Sequence, residues 1–136
     1  SFVKSLQPLL KGGFLEHCAD NVASKLLLMY WQEVQALFPA AFDDPKAYAI
    51  QKTPGIFSLH AVADRVFRLC DAKGDFKRDR MARYLGEASK KADITEEFWA
   101  VKNPAGATLY GSMKGFRLLA DKFLQHLPPP ELKIDI

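Results

Sequence analysis

A chain of 136 residues is long enough to bury one hydrophobic core and too short for two domains of ordinary size, so one domain is expected. Apolar residues make up 49% of it, yet the longest unbroken apolar run, Leu26 to Trp31, is six residues, far below the roughly 18 that a membrane-spanning helix needs. The balance of charge, +3 with a pI near 8.9, is only moderately basic, so where the bases lie matters more than how many there are.

The chain starts Ser1-Phe2-Val3-Lys4, without an initiator Met or the layout of a signal peptide, and reads as a fragment or processed piece of a longer protein. Phe2, Leu6, Leu9 and Leu10 predict a short amphipathic helix that stops at the flexible Lys11-Gly12-Gly13. From Asp20, a candidate N-cap, Val22, Leu26, Met29, Tyr30, Val34 and Leu37 predict a long helix ending at Phe38-Pro39. Leu27, Leu28 and Trp31 widen its apolar surface, so burial on two sides is expected. Asp43-Asp44-Pro45 marks a turn, and Lys46 to Ile50 is at most a short helix.

The next stretch is the expected centre of the fold. Thr53 reads as an N-cap and Pro54 as the first helical residue, where a missing N–H is harmless. Ile56, Leu59, Ala63, Val66 and Cys70 then recur at steps of three and four, and Phe67 and Leu69 widen that face to nearly half the circumference. Gly74 is the expected stop, and Asp75 can cap a following helix with Met81, Tyr84, Leu85, Ala88 and Ala92 on one side. Thr95 caps the short turn Glu96 to Trp99. A loop or brief hairpin is expected near 103–110. Ser112 then caps a last helix carrying Met113, Phe116, Ala120, Phe123 and Leu127, and Pro128-Pro129-Pro130 ends it. In the tail, 131–136, Leu132, Ile134 and Ile136 alternate with polar residues, as a mobile segment or a strand added to another sheet edge would. The expected fold is all-α, a single compact domain of five or six helices spanning 1–130.

Candidate chemistry is sparse. No serine sits in a nucleophile elbow, and the carboxylate pairs Asp43-Asp44 and Glu96-Glu97 fall at helix starts, where they complement the helix dipole. His17, His60 and His126 are scattered singly, without zinc-ligand spacing, so no metal site or cofactor is expected. Cys18 and Cys70 read as free thiols in a reducing cytoplasm. The loop Gly106 to Gly115 has the Gly-x4-Gly spacing of a phosphate loop, but Ser112 stands where that motif needs Lys. What it retains is a candidate anion site of Ser112 and Lys114 at a helix start.

The bases are more informative. Between Lys73 and Lys91 there are seven of them and three acids, a net of +4, so the whole positive excess sits on one helix and its entry loop. Lys77, Arg80, Arg83, Lys90 and Lys91 are therefore the candidate nucleic-acid contacts, with the flank Arg80, Arg83, Lys90 and Lys91 expected to face outward. The competing reading is a protein-interaction domain in which Trp31, Trp99 or Tyr110 is exposed and docks a partner.

The run Val34-Gln35-Ala36-Leu37-Phe38-Pro39, the acidic-proline turn, and Lys52-Thr53-Pro54-Gly55-Ile56-Phe57-Ser58-Leu59 together resemble a region of DGQHR-domain proteins. Phe98-Trp99 and Gly111-Ser112-Met113-Lys114-Gly115 resemble that family's closing segment. The likeness covers about the middle two-thirds of the chain, and the naming motif Asp-Gly-Gln-His-Arg is absent. The family resembles ParB-like nuclease folds in its core and includes regulators associated with DNA phosphorothioation. The resemblance implies a non-catalytic, C-terminal helical domain of a bacterial, cytoplasmic DNA-associated protein, with DNA, an upstream domain of the same protein or a partner protein as what it contacts, and no membrane.

Overall fold

The two longest apolar periodicities become helices with ends within a residue or so of those expected, while the helix expected from Asp75 starts at Arg78 and the one expected to carry Leu127 ends at Leu124. A computed structural model describes residues 2–129. In chain order they form α1 (Phe2–Ser5), α2 (Gln7–Leu10), α3 (Asp20–Leu37), α4 (Pro39–Asp43), α5 (Thr53–Ala72), α6 (Arg78–Lys91), α7 (Glu96–Trp99) and α8 (Met113–Leu124). Two 3-10 turns, Phe14–His17 and Ala107–Tyr110, complete the set. Four of the eight helices are long, at 18, 20, 14 and 12 residues, and the others are about a turn each. The alternating tail, expected as a mobile segment or an added strand, lies outside the described residues.

Helix α5 is the central element. Leu59, Val62, Ala63, Val66, Phe67, Leu69 and Cys70 are all buried, and α1, α2, α6, α8 and both 3-10 turns pack against it. Its first hydrogen bond runs from the Ile56 N–H to the Lys52 carbonyl, at 3.0 Å, so Lys52 is the cap residue and Thr53 already lies in the helix. Gly55 is required there because a Cβ would stand 2.1 Å from the Ile50 carbonyl oxygen. At its other end Gly74, at φ +63°, lets the Asp75 N–H reach the Cys70 carbonyl and the Gly74 N–H reach that of Asp71, the bonding of a Schellman stop.

Several expectations change. The first helix is two single turns, because Pro8 has no N–H to continue the ladder and the Ser5 hydroxyl donates back to the Phe2 carbonyl. The glycine stop after it is a packed turn: Arg68 donates to the Gly12 carbonyl, and the Phe14 N–H donates to Asp64 Oδ1. Helix α3 buries Leu26, Tyr30 and Val34 but leaves Val22 and Leu28 exposed, so it is covered on one side rather than two. Ala19, not Asp20, is its cap residue. No hairpin forms at 103–110. Asn103 instead gathers that loop, donating to the Glu97 carbonyl and accepting from the Ala105 N–H through its side chain, while its carbonyl accepts from the Gly106 N–H. The one extended pairing among the described residues is an isolated antiparallel bridge between Tyr48 and Ala100.

Candidate functional site

The basic helix α6 packs on α3, α5 and α8 through Met81, Leu85 and Ala88, which are buried as their spacing requires, together with Ser89. Lys77, Arg83, Lys90 and Lys91 are exposed. Arg80 is not a free member of that flank. Its Nε donates to Asp75 Oδ2 at 2.9 Å, and it is only partly exposed. The same carboxylate accepts from the Lys77 N–H through Oδ1, so Asp75 fastens the end of α5 to the start of α6. The hydrogen bond from Arg80, and then that from the Lys77 N–H, hold the Asp75 carboxyl below its ordinary value, while Asp75 raises the affinity of Arg80 for its proton. Arg78 is engaged as well, through a 2.5 Å bond to Glu33 of α3. Glu87 is exposed four residues after Arg83 and three before Lys90, inside the same face, and subtracts from its potential.

At the start of α8 the Ser112 hydroxyl accepts from the Gly115 N–H at 3.0 Å, the ordinary work of an N-cap. Lys114 is exposed beside it. An anion at this point competes with the cap already in place.

The aromatics also fall differently from expectation. Trp99 is fully buried, edge-on to Phe38 and Phe98 and stacked near Phe123. It belongs to the core because the Tyr48–Ala100 bridge draws α7 onto the molecule. Trp31 is half-buried against Phe42 and His60, and Tyr110 lies against Phe98. None of the three is an exposed docking residue. An apolar groove of about 730 Å³ does open between α3 and the corner joining α5 to α6, lined by Phe14, Val22, Leu26, Met29 and Phe76 with Lys77 at its edge.

One polar cluster is invisible to sequence spacing. Ser5 of α1, Trp31 of α3 and His60 of α5 meet in the interior, with Ser5 Oγ 2.8 Å from His60 Nδ1 and Trp31 Nε1 2.9 Å from His60 Nε2. The indole N–H only donates, so Nε2 accepts and Nδ1 carries the hydrogen, which it gives to Ser5. That tautomer rules out a serine-histidine nucleophile here, since the imidazole offers the hydroxyl a proton rather than taking one. Burial lowers the His60 pKa to about 4, against a smaller raising effect from Ser5. Cys70 is equally unsuited to nucleophilic chemistry, because burial pushes its thiol up to about 11. Cys18 and Cys70 are both free thiols, and no group of three or more potential metal ligands occurs among the described residues. No helix among them is long and apolar enough to cross a membrane. No protein-family model matches the chain, and comparisons with curated proteins and with solved structures find no match.

Proposed function

We propose that this chain is a non-catalytic helical accessory domain that contacts nucleic-acid phosphates through the exposed face of α6, as its resemblance to DGQHR-domain proteins implies. The observation that carries this reading is the exposure of Lys77, Arg83, Lys90 and Lys91 on one helix and its entry, none with an ion-pair partner among the described residues. Such bases add affinity by releasing condensed counterions and read no sequence. Arg80 and Arg78 act instead as fasteners of α6. The contact residues are then the four exposed bases, and the Ser112 and Lys114 helix start is a separate, weaker anion point.

The test is a salt titration of duplex binding by the parent and by the double variant Arg83→Ala, Lys90→Ala. The double variant should bind more weakly and show a salt slope smaller by up to about two units, one for each phosphate that is no longer neutralised, with no change in sequence preference. A parent that fails to bind duplex at about 50 mM salt, where binding to phosphates is strongest, overturns the reading. The alternative is then a protein-interaction domain that uses the groove of about 730 Å³ beside Phe14, Val22 and Met29, within the size range of binding clefts.

A further inference from the structure

Among the described residues, the one side-chain hydrogen bond from helix α1 to another element ends on His60. The Ser5 hydroxyl accepts from His60 Nδ1, and the Phe2 ring stands edge-on to the imidazole at 4.9 Å between centroids. Otherwise α1 is thinly covered: Phe2, Val3 and Lys4 are exposed, and Val3 is 74% so. On its far side His60 accepts from Trp31, which has no lone pair to offer in return. A second proton on the imidazole must go to Nε2, where it would face the Trp31 N–H across 2.9 Å. Protonation therefore breaks the bond to Trp31 and leaves a cation in a site that is fully buried.

Among the described residues, no ionised partner is placed to compensate that cation. Lys4 on α1 and Asp43 at the end of α4 are exposed, and α2 has no ionisable side chain. On α3, Tyr30 donates its hydroxyl to the Leu59 carbonyl and Glu33 is bonded to Arg78. On α5, Asp64 is taken by Arg68 and the Phe14 N–H, and Lys52, at its cap, is exposed with its amine toward the Lys46 carbonyl. The remaining route to relief is water, and α1 is the thinnest wall around the site.

We infer that α1 is a proton-released latch: when His60 takes up a second proton, α1 detaches while the helices beneath it stay folded. Phe2 lines two adjoining clefts, of about 410 and 240 Å³, which share Phe2, Gln51 and Ile56 and reach Phe57 on one side and Trp31 and Phe42 on the other. Release of α1 removes their common wall and exposes that aromatic surface. The low proton affinity of His60 places the event in mildly acid solution, below the ordinary histidine range.

The test follows the Leu6 amide, which bonds to the Val3 carbonyl, and the approach of the Phe2 ring to His60 by NMR as pH falls, with the Val66 amide in α5 as the reporter of the core. With a closed-state pKa of about 4 and an ordinary value of about 6.5 when open, α1 opening should rise roughly fifty-fold between about pH 7 and about pH 4.5, with Val66 still protected. Trp31→Phe removes the opposing N–H and keeps an aromatic ring, so the closed state should accept the second proton more readily and the acid-driven rise in α1 opening should fall well below the parent's. His60→Gln should abolish the pH dependence. The latch is overturned if Leu6 and Val66 lose protection together, which is simple acid unfolding, if the two rings stay together to about pH 4, or if Trp31→Phe opens with the parent's full rise between about pH 7 and about pH 4.5. The parent titration alone decides the first two points, so a variant that fails to fold leaves the inference exposed to refutation.

Discussion

Asp93 holds a φ of +56°, the left-handed position after α6, where its N–H reaches the Lys90 carbonyl and the Ile94 N–H reaches that of Ser89. Gly74 does the same work after α5 without a Cβ. Asp93→Gly should therefore raise stability by about 0.5–1 kcal/mol, read from chemical denaturation. Glycines make an opposite pair. Gly86 sits within α6 with open space where a Cβ would go, so Gly86→Ala should stabilise by about 0.5–1 kcal/mol. Gly55 is also helical, yet Gly55→Ala should cost more than about 2 kcal/mol, because the Ile50 backbone would have to move out of its way. Propensity alone assigns the two substitutions the same sign, and only the neighbour across space separates them. His60 shows the same limit: its sequence position says nothing of Ser5 or Trp31, which are 55 and 29 residues away.

At the scale of elements, the Ser112 cap and the Gly74 stop were legible, whereas the caps of α3, α5 and α6 are Ala19, Lys52 and Lys77 rather than Asp20, Thr53 and Asp75. Ser112 was readable as the α8 cap from its place before an apolar three-four pattern, and its hydroxyl does accept from the Gly115 N–H. Ser112→Ala should lower stability by about 1 kcal/mol, measured by thermal melting. The joint between α5 and α6 is less legible, because Asp75 serves as backbone stop, turn acceptor and ion-pair partner at once. Its carboxyl is held below the ordinary range, so the joint has its full strength above the unfolded-state pKa and loses it as pH falls through the lower folded value. Asp75→Asn should flatten the melting temperature against pH in that acid window and leave it unaltered in form near neutrality. The bases of α6 divide for a related reason: Arg78 and Arg80 meet carboxylates contributed by α3 and by the corner, whereas Lys77, Arg83, Lys90 and Lys91 meet none among the described residues. A wheel of α6 alone places Arg80 with Arg83, since it contains neither Glu33 nor Asp75.

Across the whole molecule, no set of metal ligands gathers among the described residues, so addition of a chelator should leave the melting temperature unchanged, and a drop of several degrees would contradict this. The all-α class, the extents of α3 and α5, the start of α8 and the central place of α5 were determined by the sequence itself. Apolar period, proline, glycine and capping residues act within a few positions of one another, and that information is local. Burial of Trp99, exposure of Val22 and Leu28, the division of the α6 bases and the Ser5–His60–Trp31 cluster were decided only by tertiary structure. Each depends on which surfaces meet when separate helices pack, and a residue's partners across that packing are set by the whole chain's geometry, not by its neighbours in sequence.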